Sequence, residues 1–243
     1  MEKRGQVTTY VLLGILILFV AIGALYIRPS LTQEVKDVSR QSQTENVKGY
    51  VYACIQETLP AGLFLIGAQG GYLNVQPNSV QTETINVAYG SVQGKNTLPS
   101  TTHIESEIST YIEEYLPLCT EFSRFQGVTI TPEGVEAQTT ITNDNIRVKV
   151  RYPLTMRKDQ QTTTLRDEYE VTVPIRLSKI INVANTVVAQ HLKHKEVIDV
   201  NALLETDMDV SIIEEQEAII YAITDQQSVI KNTPYTFMFA NEI

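Results

Sequence analysis

Apolar residues change their spacing several times along this chain, and each change marks a different kind of element. Residues 7–27 are twenty-one consecutive uncharged, mostly apolar positions. As a helix rising 1.5 Å per residue they span ~31 Å, the thickness of a bilayer's hydrocarbon core. Residues 28–46 are polar. Only Leu31, Val35 and Val38 recur there at helical spacing, behind a Ser30/Gln33 capping pair. The stretch reads as a helical or frayed stalk, with a disordered linker as the alternative. From Val47 the spacing becomes amphipathic: Val47, Tyr50, Val51, Cys54, Ile55 and Leu59, then Leu63, Phe64 and Ile66. Pro60 predicts a kink or a division of this helix, and Gly70-Gly71 its end.

Residues 74–101 are rich in Asn, Gln, Ser, Thr and Gly. They read as a loop with one weak strand at 84–88. A second helix follows. Thr102 and Glu105 form a capping box, and Ile104, Ile108, Tyr111, Ile112, Tyr115, Cys119 and Phe122 share a face. Pro117 is expected to bend its last turn. From Val128 the period falls to two. Turns at 132–134, 143–145 and 158–161 separate Val128/Ile130, Val135–Ile141, an unbroken Ile146–Met156 alternation and Tyr169–Leu177. This predicts an antiparallel meander with one wet face of Thr, Arg and Lys. Ile180, Ile181, Ala184, Val187, Val188 and Leu192 predict a third helix. Strands at 209–213, 218–224 and 235–240 close the chain. The fold class is therefore α+β, with helices packed on an antiparallel meander behind an N-terminal anchor helix. The predicted organisation is a basic leader at 1–6, an anchor at 7–27, a stalk at 28–46 and an exported domain at 47–243.

Charge narrows the function. Beyond the leader the chain carries 17 basic and 27 acidic residues, a net charge of −10. Such a domain does not fit nucleic-acid binding, which needs cations to neutralise phosphates, nor a polybasic membrane-surface patch. The 216 residues after the anchor suffice for one good core or two small ones. No Asn-x-Ser/Thr sequon is present. Cys54 and Cys119 are the only cysteines and lie on apolar helical faces. Two helices packed at about 8–10 Å can join facing cysteines, so a Cys54–Cys119 disulfide is expected if the domain is exported.

Lys3 and Arg4 precede the apolar run, and Arg28 alone follows it directly. That bias favours an inside N-terminus and an exported remainder, with Tyr10 and Tyr26 near the two interfaces. Competing readings are a buried core helix and a signal peptide cut after Gly23, within the small-residue sequence Ala21-Ile22-Gly23. Lys3-Arg4-Gly5-Gln6, followed at once by the run, resembles the leader of archaeal type IV pilins. The resemblance covers residues 3–27 and implies cleavage between Gly5 and Gln6, leaving the helix on the mature chain. It implies a filament in which Gly14, Ala21 and Ala24 permit close helix approach. Bacterial pilins carry Glu at the fifth mature position, where this chain has Tyr10. The remainder resembles uncharacterised archaeal single-pass surface proteins.

No catalytic constellation is evident. His191 and His194 stand at i, i+3 but alternate with Lys193 and Lys195; a cationic helix end outweighs a metal site there. Gly90-Ser91-Val92-Gln93-Gly94-Lys95-Asn96 lacks the spacing and the hydroxyl of a phosphate loop and reads as a surface loop. Gly67-Ala68-Gln69-Gly70-Gly71 follows a helix, the wrong context for a dinucleotide fingerprint. Glu113-Glu114 and Glu214-Glu215-Glu217 read as solvated faces. Calcium at Asp207/Asp209 or at the 143–145 turn lacks EF-hand spacing. No cofactor and no small-molecule substrate is implied. The expected function is a non-enzymatic, membrane-anchored surface protein, self-associating through its N-terminal helix in a filament. A tethered binding module using the 74–101 loop or the sheet is the alternative; an exported enzyme ranks last.

Overall fold

The computed structural model describes residues 43–75, 79–193, 206–215 and 217–243. The leader at 1–6, the anchor run at 7–27 and stalk positions 28–42 lie outside the described residues. The chain divides into two units, Met1–Val51 and Tyr52–Ile243. Residues 43–51 of the first are described and are helical. The second unit is a mixed α+β structure.

Helix α1 spans Gln43–Ala68. It starts ahead of its apolar stripe because Gln43, Glu45 and Lys48 are good helix formers, with Lys48 Nζ 3.6 Å from Glu45 Oε1. Of the kink or division expected at Pro60, the division does not occur: the helix runs through the proline. The missing N–H costs one helical bond, but Cys54, Ile55, Leu59, Leu63 and Ile66 continue one buried stripe across the proline. At the C-terminus Gly71 N–H donates to Ile66 O at 2.8 Å and Gly70 N–H to Gly67 O at 3.3 Å. Those two bonds, with φ +77° at Gly70, form the left-handed cap that glycine permits. Among the described residues α1 alone is long and apolar enough to cross a membrane. Half of its most apolar window is buried in the fold, and a soluble core helix meets the same test.

Helix α2 spans Thr101–Cys119 and buries Ile104, Ile108, Tyr111, Ile112 and Leu116. Its cap is Ser100, whose Oγ accepts from His103 N at 3.2 Å; Thr102 lies inside the first turn, so the expected capping box is not formed. Tyr115 turns outward and stacks on Tyr111, with ring centroids 4.3 Å apart. A 3₁₀ turn at Phe122–Arg124 takes Phe122 off the helix.

The 74–101 segment carries more than the one weak strand expected at 84–88. It holds strands β1 (Ser79–Gln81), β2 (Asn86–Val92) and β3 (Lys95–Asn96). Gln93 and Gly94, with φ +50° and +74°, make the two-residue turn between β2 and β3. The alternating region forms β4 (Thr129–Pro132), β5 (Glu136–Ile141), β6 (Ile146–Arg151), β7 (Leu154–Lys158), β8 (Gln161–Leu165) and β9 (Glu168–Val173). These strands do not follow one another across one sheet. They form two three-stranded antiparallel sheets, ordered β4-β7-β8 and β5-β6-β9. Burial alternates through 146–156 as expected, but the strand breaks at Tyr152-Pro153, where the chain passes from one sheet to the other. Leu177 opens helix α3 (Leu177–Lys193) rather than closing a strand.

Strands β10 (Asp209–Glu214), β11 (Ala218–Ile230) and β12 (Thr233–Glu242) join β1–β3 in a six-stranded sheet, ordered β1-β2-β12-β11-β10 with β3 on β2. There β2 runs parallel to β12; the other pairings are antiparallel. One face of β11 and β12, with Tyr221, Tyr235, Phe237 and Phe239, is buried. Phe64 of α1 stacks on Tyr235 at 6.4 Å, and the space beside Gly90 and Phe239 is filled by Val188 of α3.

Gly67 lets α1 lie directly on β12. A Cβ there would meet Tyr235 Oη at 2.6 Å and the Thr236 carbonyl oxygen at 2.7 Å. We expect Gly67→Ala to lower stability by about 1–3 kcal/mol through overpacking, a cost that outweighs alanine's advantage of about 1 kcal/mol in a helix. An unchanged denaturant midpoint would contradict this close approach.

Candidate functional site

A polar concavity lies along the contact between α2 and β5. It is an open groove of about 320 Å³, lined by Glu105, Ser109 and Glu113, with Thr102, Ser106, Thr110, Gln138 and Thr139 around them. Positions 105, 109 and 113 recur every four residues, so they stack on one helical face at ~6 Å intervals. Alternate residues of a strand advance by ~6.8 Å, a near match. The outcome is a ladder between helix side chains and strand backbone. Ile141 N–H donates to Glu105 Oε1 at 2.7 Å, Thr139 N–H to Ser109 Oγ at 3.0 Å and Ala137 N–H to Glu113 Oε1 at 2.8 Å. Ser109 Oγ also lies 2.9 Å from Glu105 O and from Thr139 Oγ1.

This arrangement guards an edge. β5 pairs with β6 on one side, and α2 satisfies the amides on the other, which would otherwise recruit a foreign strand. As chemistry it offers little. Glu105 and Glu113 stand eight residues apart, ~12 Å along the helix, too far to share a reacting group as acid and base. We expect Ser109→Ala to destabilise by about 1–3 kcal/mol, because the buried Thr139 amide loses its acceptor. Hydrogen exchange at that amide should accelerate well beyond its neighbours on β6; unchanged exchange would refute the guard.

A second polar cluster ties α3 to β11. β11 slips register between Asp225 and Val229, and this bulge holds Asp225 and Ser228 fully buried. Arg176, just before α3, grips Asp225 with two prongs, Nε to Oδ2 at 2.9 Å and Nη2 to Oδ1 at 2.6 Å. Its Nη1 donates to Asp207 Oδ2 at 2.7 Å. Ser228 Oγ donates to Asp225 Oδ2 and accepts from Arg176 N, while Gln227 N donates to Asp225 Oδ1. Burial pushes the Asp225 carboxyl up. The hydrogen bonds from Arg176, Ser228 and Gln227, with the guanidinium charge, outweigh burial and hold it below the usual carboxylate range. Arg176 is raised by its hydrogen bonds to Asp225 and then to Asp207.

Of the site residues expected from sequence, Cys54 and Cys119 are joined, with Cα atoms 5.7 Å apart. Lys3, Arg4, Gly5 and Gln6 lie outside the described residues, as does His194. His191 is buried, and its Nε2 lies 2.8 Å from the Glu242 carbonyl oxygen, so its ring is packed against the end of β12 rather than set in solvent. Asp207 is bound by Arg176, Asp209 accepts from Gln226, and Asp144 pairs with Lys179 at 3.3 Å. Residues 90–96 form the β2–β3 hairpin rather than a surface loop. Glu113 is engaged with Ala137, while Glu114, Glu214, Glu215 and Glu217 are exposed.

On the wet face of β5-β6-β9, Arg147, Lys149 and Arg151 of the central strand meet Glu170, Glu168 and Glu136 of its neighbours at 3.3–3.5 Å. The cations are neutralised strand by strand, and no basic stripe is left there. Among the described residues no three His, Cys, Asp or Glu side chains converge as metal ligands. The α2 ladder escaped the sequence reading, although three acceptors at i, i+4 and i+8 on a polar face were its visible signal. No protein-family model, curated protein or solved structure matches the chain.

Proposed function

We propose that this chain is a non-enzymatic surface protein, anchored in a membrane by residues 7–27 and presenting the remainder outside the cell. The observation that carries the reading is the run of twenty-one uncharged residues directly behind Lys3 and Arg4. The Cys54–Cys119 bond supports it, since disulfides persist in oxidising compartments. The sharper form of the proposal is a type IV pilin-like filament subunit. Lys3-Arg4-Gly5-Gln6 is its cleavage signal, and the apolar helix exchanges lipid for neighbouring helices. The alternative, a tethered binding module, loses one motive, because residues 79–81, 86–92 and 95–96 are strands rather than open loop.

Intact-mass measurement of the native protein tests the filament form. Loss of residues 1–5 together with self-assembly is the expected result. A chain that retains residues 1–5 and stays monomeric in detergent removes the pilin reading and leaves the anchored protein.

A further inference from the structure

The sheet edges are managed unequally. β5 is covered by the α2 ladder. β4 ends at Pro132 and lies against the 3₁₀ turn. β9 carries Glu168 and Glu170, β10 has Asp209 and Glu214 at its ends, and β1 is three residues long. These are the usual devices against edge-to-edge pairing. β8 has none of them. It reads Gln161-Thr162-Thr163-Thr164-Leu165, with no charge, proline or bulge, and its first four residues are exposed. Among the described residues it pairs with β7 alone.

Its register shows which groups face outward. Lys158 and Gln161 flank the two-residue turn and form the hydrogen-bonded pair of a tight hairpin. By alternation, Gln161, Thr163 and Leu165 bond inward to β7. Thr162 and Thr164 present N–H and C=O to the open side. We propose that β8 pairs antiparallel with β8 of a second copy of this chain, about a two-fold axis through Thr163. Thr162 then lies opposite the second copy's Thr164, and Thr164 opposite its Thr162. Each pair exchanges two backbone hydrogen bonds, and the β4-β7-β8 sheet becomes six-stranded across the axis.

The strand is self-complementary, as a two-fold contact requires. Threonine opposite threonine is a favourable cross-strand pair. The chain carries a net charge of −9, so two copies approach at least cost along an uncharged edge. A five-residue pairing buries little area and is weak between free molecules; tethering copies to one surface raises their effective concentration. The contact does not depend on the leader or its cleavage.

Cross-linking of the full chain in detergent tests it. Thr163→Cys places thiols at a close, non-hydrogen-bonded pair, whose spacing suits a disulfide. Thr140→Cys, an exposed position on guarded β5, is the control. Under mild oxidation the Thr163 variant should form a covalent dimer at least roughly tenfold faster than the control, the shift a contact of about 1.4 kcal/mol gives. Association through the anchor helices raises both rates equally and leaves the ratio intact. Adding Thr162→Pro removes an outward N–H while sparing the bonds to β7, and should abolish the difference. Equal rates for the two cysteine variants, or a rate indifferent to Thr162→Pro, would overturn the proposal.

Discussion

Reducing the Cys54–Cys119 bond, or replacing both cysteines by alanine, should lower the unfolding free energy by about 4 kcal/mol. The bond closes a sequence separation of 65 residues, and the chain entropy it removes from the unfolded state grows with that loop. For a domain of this size the melting midpoint should fall by about 10 °C. Cys54 is 4 % exposed, and nearby in the fold the Tyr111 ring of α2 sits where a Cβ on Gly62 of α1 would be, so the two helices are already in close contact. The reduced protein should therefore keep its secondary structure at low temperature and fail on heating. Calorimetry with and without reductant measures this. Equal midpoints, or two free thiols in unreduced protein, would contradict the pairing.

The second large effect is at Arg176. Replacing it by methionine leaves the fully buried Asp225 without its guanidinium, which should cost about 3–5 kcal/mol. Asp225→Asn is milder, since Ser228 and Gln227 keep an oxygen to bond. The two changes differ in pH dependence. Asp225 titrates lower in the folded chain than in the unfolded one. Its stabilisation is therefore fully present above the unfolded value of about 3.9 and is lost as pH falls through the lowered one. Wild type should lose stability on acidification below about pH 4, and Asp225→Asn should lack that share of the loss. Parallel acid curves for the two proteins would rule out the depressed carboxyl.

The elements whose signal is a long period were legible in sequence. The apolar stripes that place Cys54 and Cys119 on facing helices extend over several turns, and only one pairing of two cysteines exists. β11 was cut short at Thr224 because Asp225-Gln226-Gln227-Ser228 reads as a polar loop. The structure absorbs those residues in a bulge where Asp225 and Ser228 satisfy each other and Arg176. β1 and β3 are too short to leave a period in the sequence, and β2 shows there only as the weak strand at 84–88, because the parallel partner that orders it is β12, about 150 residues away. Which strands pair is likewise a long-range fact: β4 and β9 reach past their neighbours in sequence to β7 and β6. The α2–β5 ladder needs both elements in place before its acceptors mean anything.

The central claim is that the domain after the anchor faces the outside. An amine-reactive label that does not cross membranes, applied to intact cells of the source organism, tests it most directly. Lys149, Lys179 and Lys231 are surface residues of the described domain, each side chain 43–51 % exposed. The account predicts that all three are modified on intact cells, as read by peptide mass spectrometry. Modification of these lysines only after lysis would contradict it.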